Sequence, residues 1–142
     1  PKSCVFYYFK ESFKYEYVNN HYMKEEVKKW LKKAKQDLDS AKYNFKGKKY
    51  DVSAFLCQQS AEKALKALLL KKSGKIRKIH DLVELGKNVN LPSDLLDSCK
   101  ELTLSYIYAR YPDIQEVKNL NKIAKKFLKV SEDILKWAKK QL

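Results

Sequence analysis

The stretch KEEVKKWLKKAKQDLDSAKYNF, residues Lys24–Phe45, decides the fold. Val27, Leu31, Ala34, Leu38, Ala41 and Phe45 recur at alternating spacings of four and three residues. That period draws one apolar face on a helix whose other face carries Lys and Asp. Gly47 stops the helix, and Lys48-Lys49-Tyr50 connects onward. Asp51 suits the N-cap of a second helix running to about Lys72, with Ala54, Cys57, Ala61, Leu65 and Leu68 as its main stripe. Ser73-Gly74 ends it, and a basic link runs from Lys75 to Ile79. A short helix follows over Asp81–Lys87, then a break from Asn88 to Pro92. Ser93 suits the cap of a helix carrying Leu95, Leu96, Cys99, Leu102 and Tyr106 and ending near Arg110. Pro112 terminates it, because the residue before proline is steered away from helical angles. Asp113 suits the cap of a last long helix with Val117, Leu120, Ala124, Phe127, Ser131, Ile134 and Ala138 on its inner face. Short connections between long amphipathic helices imply antiparallel neighbours. The expected fold is all-α, an up-and-down antiparallel bundle of four long helices plus one short helix.

Upstream of Met23 the pattern changes. Residues 1–22 are rich in Tyr and Phe without a helical period, and Tyr15 and Tyr17 alternate with charges. They read as an aromatic leader or arm, possibly extended, ahead of a bundle domain over residues 23–142. The alternative is an upstream extension with no function to explain. With 142 residues the chain suits one domain, and three Gly and three Pro are too few for a turn-rich β fold. The 44% hydrophobic content excludes disorder despite a net charge of +14. Of 31 basic residues only Arg77 and Arg110 are arginine. Lys at this density reads either as a solvated helix surface or as an attractor for phosphate. So little Arg argues against a surface that reads bases. Cys4, Cys57 and Cys99 contain no CxxC pair, so a zinc site or disulfide framework is not expected, and Cys57 reads as a core residue. The longest apolar run, Ala67–Leu70, is far too short to span a bilayer. No membrane association is expected, and the reading is of a cytoplasmic protein.

Phosphate-binding glycine loops, HExxH and GxSxG are all missing from the sequence. His21 and His80 are the two imidazoles, so neither a metal nor another cofactor is expected. What stands out is a polar group bordering the stripe of the second helix: Gln58, Gln59, Glu62, Lys63 and Lys66. Gln59, Glu62, Lys63 and Lys66 share one face. They make either a solvated edge with a Glu62–Lys66 ion pair, or a cleft wall in which Gln bonds bases and Lys meets phosphate. His80 sits between the basic link and Asp81, suited to holding a loop or to proton transfer. Arg110 is an arginine in a chain that otherwise selects lysine, which suggests a need for a planar fork. That fork grips either a carboxylate, such as Glu62 or Asp113, or a phosphate.

Four segments together resemble the HEPN (higher eukaryotes and prokaryotes nucleotide-binding) domain. They are Asp37–Ala41, Gln58–Leu69, His80-Asp81-Leu82 and Ala109-Arg110-Tyr111-Pro112-Asp113, in the family's order across about residues 24–140. The resemblance implies a helical bundle that commonly forms homodimers and acts on nucleotides or RNA. It also implies a small nucleotidyltransferase as frequent companion in prokaryotic toxin–antitoxin pairs. Many such domains are metal-independent RNases with Arg, four to six intervening residues, then His. There His serves in acid–base chemistry on the ribose 2′-hydroxyl, and Arg stabilises the phosphate charge. Arg110 matches the motif's Arg, but Gln115, Glu116 and Val117 stand where its His belongs.

The reading drawn from these residues is a dimeric module that binds a nucleotide, RNA or a nucleotidyltransferase partner. Its binding residues are Gln59, Lys63, Lys66, His80 and Arg110, with Tyr111 as a stacking surface. Two alternatives remain. One is an RNase in which His80 replaces the missing motif His and works with Arg110; the other is a dimerisation scaffold without catalysis.

Overall fold

In the computed structural model, residues 13–111 and 118–142 are described, with side chains at 20–105, 107, 111 and 118–142. Five helices make up the ordered elements among them: α1 Phe13–Lys46, α2 Tyr50–Ser73, α3 Leu82–Asn88, α4 Ser93–Arg110 and α5 Leu120–Lys140. Among the described residues no helix is long and apolar enough to cross a membrane.

Helix α1 confirms the opening stripe. Val27, Ala34, Leu38 and Ala41 are buried, with Leu31 and Phe45 half-buried beside them. Its start differs from expectation, because the helix runs back to Phe13 and residues 13–22 are not extended. No Gly or Pro falls between Phe13 and Lys46, so nothing interrupts propagation of the helix once it is nucleated. The last helix instead begins late. Asp113 and Val117 lie outside the described residues, and α5 starts at Leu120 behind Asn119 in the left-handed conformation (φ 61°).

Two caps shift by one or two positions. Lys49 occupies the N-cap of α2 and Asp51 sits in the first turn, where its charge complements the helix dipole. Pro92 holds the N-cap of α4, so Ser93 is its first residue. Asp81 does cap α3, its Oδ1 accepting from the Val83 amide at 2.8 Å. Gly74 closes α2 at φ 69°, a left-handed geometry that a side chain would strain, and its amide donates to the Leu70 carbonyl.

Helix α2 touches all four other helices. It is not amphipathic in the sense expected, since seven consecutive residues, Ala64–Leu70, are all buried and therefore cover every face. Small residues let α1 approach closely. Ala34 and Ala41 face Ser60 and Ser53, whose hydroxyls donate to the Ala34 carbonyl at 2.7 Å and the Ala41 carbonyl at 2.8 Å. Those pairings make α1 and α2 antiparallel. On another side, Ser131 of α5 donates to the Cys57 carbonyl at 2.8 Å. Lys71 meets the Gln141 carbonyl at 3.1 Å, so α5 runs parallel to α2. Phe127, Leu65, Leu82, Leu85, Leu102 and Ile134 fill the space between the helices.

The seam between α1 and α2 depends on residue size as well as on its hydrogen bond. Ser60→Ala is expected to lose about 1 kcal/mol, the net contribution of one hydrogen bond. Ser60→Leu, which forces the helices apart, is expected to lose about 3 kcal/mol. Urea titration of both variants checks this order, and equal losses would contradict the close approach.

Candidate functional site

Three turns of α2 carry polar side chains that the surrounding helices enclose. Gln58, Glu62 and Lys66 stand one above another at four-residue spacing. All three are buried, with 2, 6 and 6% of their surface exposed. The solvated-edge reading of this face does not hold. The Glu62–Lys66 ion pair exists, at 2.8 Å, but inside the protein. Such a pair contributes little net stability because both ions must leave water, yet losing one partner costs about 3–5 kcal/mol.

The pair is the centre of a continuous polar chain. Glu62 Oε2 accepts from Gln58 Nε2 at 2.9 Å, and Glu62 Oε1 lies 3.0 Å from His80 Nδ1. Gln58 Oε1 accepts from Gln59 Nε2 at 2.7 Å, and Gln59 Oε1 accepts from Lys63 at 3.2 Å. Lys63 then pairs with Asp37 of α1, whose second oxygen lies 3.4 Å from Lys33. At the other end the Lys66 ammonium stands 5.9 Å from the centre of the Trp30 ring, within reach of its π face. No buried side-chain nitrogen or oxygen among the described residues lacks a partner.

Burial alone raises the pKa of Glu62, but hydrogen bonds from Lys66, Gln58 and His80 and the charge of Lys66 outweigh it. The carboxyl is held below the usual glutamate range. It therefore remains an anion with its oxygens divided among three partners. His80 itself is the opposite of buried: 77% of its side chain faces solvent while Nδ1 is held from below. A carboxylate that fixes one ring nitrogen orients the imidazole and selects its tautomer, which leaves Nε2 facing outward for other chemistry. The two core cysteines offer none. Burial pushes the thiols of Cys57 and Cys99 up to about 12, with Asp81 adding to the effect at Cys99.

Of the residues expected to bind, Gln59, Lys63, Lys66 and His80 belong to this one network. Lys66 is enclosed, whereas Lys63 and His80 reach its outer edge. Arg110 is the last residue of α4, and its side chain lies outside the described residues, as do Asp113 and the motif positions Gln115, Glu116 and Val117. Tyr111 caps α4 in extended conformation with 56% of its surface exposed. Neither Asp37 as the counter-ion of Lys63 nor Trp30 beneath Lys66 was evident from spacing. Asp37 offered one signal, a carboxylate beside Leu38 on the inward side of α1.

The family model of the HEPN domain matches residues 27–141. Among solved structures, TT1696 from Thermus thermophilus superposes with a TM-score of 0.71 at 29% identity, covering 82% of this chain and 98% of that one. ST0689, described as an archaeal HEPN homologue, gives 0.67 at 34% identity, covering 81% and 96%. No curated protein matches.

The lowered pKa of Glu62 gives stability that is complete above the unfolded glutamate pKa, about 4.3, and is lost as pH falls below it. Glu62→Gln strands the Lys66 charge, so at pH 7 it should cost about 3–5 kcal/mol. The variant should also show a shallower loss of stability between about pH 5 and 3. Urea unfolding at stepped pH measures both, and an unchanged acid limb would remove Glu62 from the account.

Proposed function

The chain belongs to the HEPN family, and from that premise we propose that it is a dimeric module that binds nucleotide or RNA phosphate. Contact falls at the outer edge of the α1–α2 network. His80 and Lys63 supply the edge, Gln59 lines it and Lys66 holds it from within. Arg110 and Tyr111 contribute from the end of α4, as phosphate fork and stacking surface. A small nucleotidyltransferase is the proposed protein partner of the same module, in a toxin–antitoxin-like pair.

The observation that carries this reading is an exposed imidazole mounted on a buried carboxylate. Glu62, enclosed with Lys66 and Gln58, shares the oxygen that accepts from Lys66 with a side chain that otherwise faces water. A cationic surface around it favours encounter with phosphate over long distances, in a manner that salt weakens.

The same contact favours a second reading, in which the protein cleaves RNA. Nε2 of His80 would take the proton from a ribose 2′-hydroxyl while Arg110 stabilises the charge on phosphorus. The oxygen attacks the adjacent phosphate and the 5′-oxygen leaves, giving a 2′,3′-cyclic phosphate without metal.

One set of measurements separates the readings. Protein freed of nucleic acid is titrated against labelled single-stranded RNA and against nucleotides across a salt series. Affinity for RNA should fall steeply with salt, and His80→Ala and Arg110→Ala should each weaken binding about tenfold, the loss of one charge-assisted contact. Absence of binding to nucleotides, RNA and a co-encoded nucleotidyltransferase alike would refute the module. Metal-free cleavage abolished in both variants would establish the RNase, whereas cleavage unchanged in both would belong to a contaminant.

A further inference from the structure

A second feature lies at the opposite end of α1 from its junction with α2 and is independent of the phosphate reading. Val27, Ala67 and Leu70 form a small buried cluster separate from the main core, with Met23, Trp30 and Leu31 packed against it. One side of this cluster opens into a groove of about 470 Å³. Its wall is a ridge of Met23, Val27 and Leu31 at four-residue spacing, and Leu142 lies across from it. Lys24, Lys28 and Lys71 rim it, and among the described residues no acidic side chain lines it. Lys71 is tied to the carbonyls of Gln141 and Leu142 at 3.1 and 3.4 Å, which fixes one side of the rim. Lys75, Arg77 and Lys78, which follow Lys71 in the chain, are exposed as well.

We propose that this groove receives an acidic amphipathic helix from another polypeptide. A row of side chains at i, i+4 and i+8 is the ridge that packs between the ridges of a second helix. An apolar floor of this kind suits two or three apolar anchors at helical spacing. The lysine rim selects acidic flanks on the incoming helix, and like-charge juxtaposition discourages basic ones. A second copy seated symmetrically on this groove would bring its own Lys24, Lys28 and Lys71 against the rim, and is disfavoured on the same ground. A nucleic acid would meet the lysines but leave Met23, Val27 and Leu31 unused.

The probe is a labelled 16-residue helical peptide with Leu at every third and fourth position and Glu elsewhere, beside a twin carrying Lys for Glu. Fluorescence anisotropy with the full chain should show binding of the acidic peptide and at least tenfold weaker binding of the basic twin. The exposed double variant K24E/K28E should weaken acidic-peptide binding by about tenfold or more, since both substitutions reverse charge at the rim. Amide shifts in NMR spectra should cluster on Met23, Val27 and Leu31. Equal binding of the two peptides, no effect of K24E/K28E, or shifts centred on His80 would overturn the proposal. So would displacement of the peptide by single-stranded RNA with matching shifts at the groove, which would make the site a general polyanion surface. Concentration-dependent self-association abolished by K24E/K28E would overturn it in favour of a second copy. Loss of phosphate binding in the His80 and Arg110 variants has no bearing on any of these readings.

Discussion

A helix enclosed on every side has nowhere to send its polar side chains, and that constraint on α2 organises the rest of the protein. Its backbone bonds are internal, but Gln58, Glu62 and Lys66 are carried into the interior with the leucines around them. Each must find partners there, because an unpaired ion in that setting costs far more than any local propensity returns. The solution is a relay in which each group satisfies the next, from Trp30 through Lys66, Glu62, Gln58 and Gln59 to Lys63 and Asp37. The relay meets water at His80, at the half-buried Gln59 and Lys63, and at Lys33. The interior thus determines which polar groups the surface presents.

This arrangement also divides the cationic surplus into parts with different work. Many surface lysines pair with carboxylates a turn away, as Lys35 does with Asp39 and Lys129 with Asp133, and such exposed pairs contribute little to stability. Lys63 and Lys66 are spent on internal carboxylates. Lys71 and Lys72 reach carbonyls at the ends of α5 and α3, where a cation meets the negative pole of a helix. The net charge is therefore a sum of local purposes, and only its unpaired share acts at a distance.

The helical pattern was legible because each outer helix buries one face, and one buried face leaves a period. The stripes on α1 and α5 lie where Val27 to Ala41 and Ala124 to Ala138 place them. Periodicity counts residues on a face but not neighbours around a helix, so the full enclosure of α2 was invisible. That is why Lys66 looked like an edge residue: in a chain so rich in lysine, one buried ammonium has no distinguishing context. The Lys63–Asp37 pair spans 26 positions, and no local spacing rule connects residues that far apart. Caps were displaced for a related reason. Asp51 and Ser93 have the right chemistry, but the turns before them placed Lys49 and Pro92 at the boundary. Aromatic residues ahead of Met23 hid a helix because they lack a stripe, although nothing in Phe13–Tyr22 breaks one.

The serine bonds that pin the helices together also differ in how much chain they enclose. Ser53 reaches a carbonyl 12 residues away, whereas Ser131 reaches one 74 residues away. For a flexible chain the longer closure costs about 1.6 kcal/mol more entropy. Loop closure therefore favours the α1–α2 hairpin, which needs only a three-residue turn, over early docking of α5. A protein whose central helix needs every neighbour thus has one neighbour it can recruit cheaply, with the later helices sealing the charges that the first pair leaves exposed.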